Sequence, residues 1–189
     1  MAYLKKNFRK AAMILYRHRR YAFAAFLAMA LFAVLGFAFP DAFHDEQQKI
    51  FKDLVELTSG KGFFELAVII ILNNLRSALI GIILGIFFGV VPFLAVAVNG
   101  YFLGAVLNKA WSVKGLETLL LILPHGVFEI PALAIAFGLG LRFGLWFREK
   151  RKWRDVKRNF GDFMLVYFCI IVPLVVVAGI IESALIHIL

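Results

Sequence analysis

Cysteine is almost missing: Cys169 stands alone in 189 residues. No disulfide can form within the chain, and no thiolate-rich metal site can be assembled. Cys169 itself lies in an apolar run, where a thiol behaves as a packing residue. Acidic side chains are scarce too, 12 against 21 Lys and Arg, for a formal net charge of +9. Ser77 and Ser183 lack the Gly-x-Ser-x-Gly setting of a serine hydrolase. No pair of histidines at zincin spacing occurs; His18 and His44 lie outside the apolar runs and read as solvated. The first apolar run is too long for a secretory signal and has no small-residue cleavage site, so it reads as a membrane span. No domain boundary, low-complexity segment or clear internal repeat divides the chain.

What is abundant is apolar. Hydrophobic residues make up 62% of the chain, where soluble domains run near 45–50%, and the mean hydropathy is +0.87. Several runs of about 20 apolar residues each predict an all-α, polytopic transmembrane bundle. Five spans are expected, over residues 21–39, 63–91, 93–108, 119–147 and 163–188, some broken or kinked. They form one transmembrane domain from 21 to 189. The positive charge is clustered beside them, in Lys5 to Arg20 and again in Arg148 to Arg158, as in cytoplasmic loops. This excludes nucleic acid as the partner and points to anionic lipid headgroups. Leu4, Phe8, Ala12 and Leu15 recur at helical spacing, so residues 1–20 read as a basic amphipathic helix on the cytoplasmic surface or as a solvated basic tail. The N-terminus is then cytoplasmic, the C-terminus outside, and the location the plasma membrane. Residues 42–58, with Phe43, Ile50, Leu54 and Leu57, read as an outer amphipathic helix.

Two kinds of residue stand out within the spans. Small residues recur at three- and four-residue spacing, Gly81, Gly85 and Gly89 in one span and Gly100 and Gly104 in the next. Such seams let helix backbones approach closely. A neighbouring span or a second copy could fill them, and a homodimer is the expectation. The 16-residue span 93–108 is short and calls for local thinning of the bilayer or a broken helix.

The second kind is polar. Leu123-Pro124-His125-Gly126-Val127-Phe128-Glu129-Ile130-Pro131 places a histidine and a carboxylate between two prolines. Four residues apart on a helix, His125 and Glu129 share a face. At 1.5 Å per residue, Glu129 lies about 15 Å from the outer surface, Glu182 about 10 Å and Arg76 about 20 Å. One cluster of His125, Glu129, Glu182, Arg76 and Asn99 is therefore expected. Three uses follow. Arg76 could neutralise a glutamate and Asn99 bridge helices, a purely structural role that makes the protein a non-enzymatic component. Glu129, Glu182 and His125 could pass a cation or small solute, as kinked segments do in transporters. Or the same three could ligate Zn or another divalent metal in an intramembrane hydrolase.

Asn99-Gly100 with Gly104, the block from Leu123 to Ala132, and Ile181-Glu182 resemble the stage II sporulation protein M family. The resemblance covers the chain from about residue 65 onward, and His125-Gly126-x-x-Glu129-x-Pro131-Ala132 is its most specific part. It implies five spans with a cytoplasmic N-terminus. It also implies a scaffold or envelope-remodelling role, because the namesake aids engulfment of the forespore and anchors two wall-remodelling partners. Envelope proteins are the partners this suggests.

Overall fold

The computed structural model describes residues 2–43, 45, 48, 49, 52, 60–146 and 153–188. Among these there are helices and turns but no strand. Helix α1 is Ala2–Ala38, α2 is Phe63–Ile83, α3 is Val90–Lys114, α4 is Leu116–Gly144, α5 is Trp153–Val166 and α6 is Val172–Ile188. A 3₁₀ turn, Leu84–Ile86, extends α2, and a π-helical stretch, Tyr167–Ile171, joins α5 to α6. Five helices are long and apolar enough to cross a bilayer, in the order the sequence predicts. The chain is a multi-pass membrane protein.

Helix α4 is the axis of the bundle, contacted by α1, α2, α3 and α6. From Ala132 to Gly140 every side is covered except at half-buried Ile135, and Phe137 is 0% exposed. Lipid offers no hydrophobic drive for helices to associate, so close van der Waals packing must do it. The glycines make that packing. Gly85 meets the backbone of Gly140, Gly104 that of Ala33, Gly138 that of Ala22, and Gly81 the ring of Phe137. The seam that suggested a homodimer is thus filled by the chain's own helices, and the ground for expecting a second copy there is removed.

The turn between α2 and α3 is tight. Phe88 and Gly89 both take positive φ, 55° and 75°, and Gly89 packs on Leu141. Trp146 Nε1 donates to the Ile86 carbonyl at 3.0 Å and pins this turn to the end of α4. Because the chain reverses within residues 84–89, α3 starts at Val90, with Pro92 in its first turn, where a missing N–H has no helical partner to lose. At 25 residues α3 is longer than the expected 93–108, and no thinning of the bilayer is required.

The basic segment also differs from expectation. Residues 2–38 form one helix of 37 residues, so the stretch 1–20 is no separate surface helix. Its buried stripe is Ala11 and Ile14, while Leu4 and Phe8 are exposed. That stripe lies in one apolar cluster with Val156 and Phe163 of α5. His18 stacks edge-on against Phe163, and Lys10 pairs with Asp162 at 3.6 Å. The face packed on α5 is thus Ala11 and Ile14, while Leu4, Phe8 and Ala12 of the expected stripe stay exposed. Most of the expected outer helix 42–58, and residues 147–152 of the second basic cluster, lie outside the described residues.

Candidate functional site: a His-Glu-Glu cluster within the bundle

Helix α4 continues through both of its prolines. Each proline removes one donor and leaves the carbonyl four residues earlier without its helical partner. Between them, His125 and Glu129 stand one turn apart, as their spacing requires. Helix α6 brings Glu182 to the same place. One donor atom each from His125, Glu129 and Glu182 lies within 4.8 Å of the others, and all three side chains are half-buried.

Two hydrogen bonds, one from α6 and one from the π-helical stretch before it, tie this last span to α2 beside Glu182. Ser183 Oγ donates to the Phe63 carbonyl at 2.7 Å, and Tyr167 Oη donates to the Leu75 carbonyl at 3.0 Å. Ser183, adjacent to Glu182, is fully buried. From α2 itself, the side chain of Asn74 hydrogen-bonds Glu129. His125 Nδ1 is buried and has no hydrogen-bond partner among the described residues. A buried nitrogen without a partner costs free energy unless something else binds it.

A half-open cavity of about 300 Å³ lies against one side of the cluster. Phe26 and Met29 of α1 form one wall, Asn99, Leu103 and Leu107 of α3 another, and His125 to Leu133 of α4 the floor. Its lining is apolar except for Asn99, His125 and Glu129. Gly126 lines it too; an added Cβ there would touch only Ile130, at 3.5 Å, so the glycine leaves room in the cavity instead of admitting a helix. Pro131 is exposed at its edge.

The expected five-residue cluster therefore divides. His125, Glu129 and Glu182 come together. Asn99 joins them across the cavity, but its Nδ2 donates to the Ala95 carbonyl of its own helix at 2.8 Å, so it does not bridge helices through that group. Arg76 is not part of the cluster. It is exposed and pairs with no described residue. The reason is helical phase: Asn74 faces inward, and two residues on the chain has turned by about 200°. Depth alone suggested Arg76; the rotational position assigns Asn74. The signal was in the sequence, because Ala78 and Gly81 mark the packed side of α2 and Asn74 lies on it.

Among the described residues, five helices long and apolar enough to cross a membrane, with a His-Glu-Glu cluster between them, define a polytopic membrane protein. The family model for Stage II sporulation protein M matches residues 22–185, and the chain belongs to that family. It is also similar to an uncharacterized protein of Methanocaldococcus jannaschii, with 40% identity over 74 residues. That stretch is 39% of this chain and spans only 31% of the relative. No solved structure matches the chain.

Proposed function

We propose that this member of the stage II sporulation protein M family is a metal-binding membrane protein in which His125, Glu129 and Glu182 hold a divalent transition-metal ion. The observation that carries the reading is the convergence of those three donors within 4.8 Å, two of them carboxylates, with no Lys or Arg paired to them among the described residues. Carboxylates in a bundle interior need a proton, a cation or a full set of hydrogen bonds. The structural alternative relied on Arg76 as the counter-charge, and Arg76 points elsewhere. Zinc-like ions bind N and O donors at about 2.0–2.2 Å, which places the donors about 3.3 Å apart. The donors, within 4.8 Å of one another, would have to close in on a bound ion to reach that spacing. The orphaned Nδ1 of His125 would gain the partner it lacks.

Three protein ligands leave a tetrahedral ion one open position, the arrangement of catalytic zinc sites. Here the cavity adjoins two of the three donors, His125 and Glu129. A metal-activated water facing an apolar, half-open cavity suits hydrolysis of a membrane-embedded ester or amide. The scaffold reading keeps one observation in its favour, the Asn74–Glu129 hydrogen bond, which ties α2 to α4 without any ion. Elemental analysis separates the two. The purified full chain, loaded with Zn, Mn or Fe and then desalted, is expected to retain about one ion, and Glu129→Gln and Glu182→Gln to retain none. Wild type free of metal after loading, with Glu129→Gln markedly less stable, refutes the metal site and leaves the cluster as a structural clasp.

A further inference from the structure

We propose that the outward face of α2 around Arg76 docks a transmembrane helix of another protein, through an acidic side chain that the partner holds at mid-membrane depth. The inference does not depend on the metal site. Arg76 is exposed and has no ion pair or hydrogen bond with any described residue. The crossing segment runs from Phe63 to Ile86. At 1.5 Å per residue Arg76 lies about 20 Å from one end and about 15 Å from the other. Intramembrane cations normally face a bundle interior or a wet cavity, or lie near a helix end where they reach the headgroups. Arg76 does none of these. It stands on the lipid-facing side at the middle of the span.

Its surroundings fit a helix partner. Val68, Leu72 and Ile80 are exposed along the same side of α2 and offer an apolar ridge. Asn73, three residues before Arg76 and therefore beside it on the helix surface, is exposed as well. An amide and a guanidinium on an apolar ridge match a carboxylate on the facing helix, which can take two parallel N–H bonds from arginine. A second copy of this chain does not supply that carboxylate. A two-fold pairing through this face would set Arg76 against Arg76. Of the described acids in the spans, Glu129 and Glu182 lie in the internal cluster, Asp162 pairs with Lys10, and Glu65 is about 16 Å along the helix. None of the described acids is placed to supply it, and the proposal therefore commits to a different membrane protein.

The test uses the full-length chain, fluorescently labelled and reconstituted in phosphatidylcholine vesicles. The probes are labelled Leu-rich helical peptides of membrane-spanning length, with Glu, Gln, Lys or Leu at the central position. Energy transfer should show the Glu peptide binding wild type at least about fivefold more tightly than the Leu peptide. Arg76→Lys should keep the preference, Arg76→Gln should lose it, and Arg76→Glu should transfer it to the Lys peptide. Equal melting temperatures of wild type and Arg76→Gln would confirm that the variant folds, as the exposure of the side chain predicts. Equal binding of the Glu, Gln and Leu peptides, or a Glu preference that survives in Arg76→Gln, overturns the proposal. Transfer between two labelled copies that vanishes in Arg76→Gln would assign the face to self-association and also overturn it. So would a wild-type difference that arises only when anionic phosphatidylglycerol is added, which would assign Arg76 to lipid.

Discussion

Gly100 offers a sharp test of how closely α1 and α3 approach. A Cβ built on it would stand 2.5 Å from the Met29 carbonyl oxygen and 2.9 Å from the Phe32 Cβ. The first of these is backbone, so no rotamer change relieves it. Restoring ordinary contact requires the helices to part by about 1 Å, and overpacking of this kind costs about 1–3 kcal/mol. Alanine regains about 0.5–1 kcal/mol over glycine within a helix, which leaves a net loss of up to about 2.5 kcal/mol for Gly100→Ala. By the usual relation for chains of this size, the melting temperature should fall by up to about 10 °C. Gly161→Ala is the control. It sits on exposed α5 with nothing within 4 Å of an added Cβ, so the same substitution should be neutral or stabilising, by up to about 1 kcal/mol. Thermal unfolding in detergent, followed by tryptophan fluorescence, measures both. If Gly100→Ala proves as stable as Gly161→Ala, the close approach is refuted. A smaller sizing species for Gly81→Leu would return the seam to a dimer interface.

Other expectations follow from individual contacts. Asn74→Leu removes the hydrogen bond to Glu129 and should lower unfolding stability by about 0.5–2 kcal/mol, the range for polar contacts between membrane helices; no loss would show that Glu129 has no need of it. Tyr167→Phe deletes only the hydroxyl that reaches Leu75, and denaturation should report a loss of about 1 kcal/mol. Ile14→Ala should cost about 2–4 kcal/mol, because the side chain is buried against its neighbours, whereas a free basic tail would tolerate it. Lys10→Ala should cost less than about 1 kcal/mol, since its partner Asp162 is partly exposed and Lys10 largely so.

The five spans were legible because runs of apolar residues report directly on the bilayer. The pairing of His125 with Glu129 was legible because both lie on one helix, where spacing fixes the face. What depended on two helices was harder to read. Depth can be counted along each span, and it correctly brought Glu182 to the cluster. Rotation about the helix axis separates Asn74 from Arg76, and a residue's depth carries no information about it. Helix α3 runs past the expected 93–108 because Lys109, Trp111 and Lys114, although charged or interfacial in character, are accommodated at the interface end of a continuing helix. The basic segment shows the same limit of rotation: the stripe packed on α5 is Ala11 and Ile14, beside the expected Leu4, Phe8, Ala12 and Leu15, of which the first three stay exposed.

Helix α1 is about 55 Å long at 1.5 Å per residue, while the hydrocarbon layer is about 30 Å thick. Its basic end is held on α5 by Ala11, Ile14 and His18, and its other half carries Phe26 and Met29 into the wall of the cavity beside Glu129. Twelve residues, about 18 Å of continuous helix, separate Ile14 from Phe26. Because the rod is unbroken, a tilt of its charged end would be carried along it to Phe26 and Met29, beside the half-buried carboxylate of Glu129.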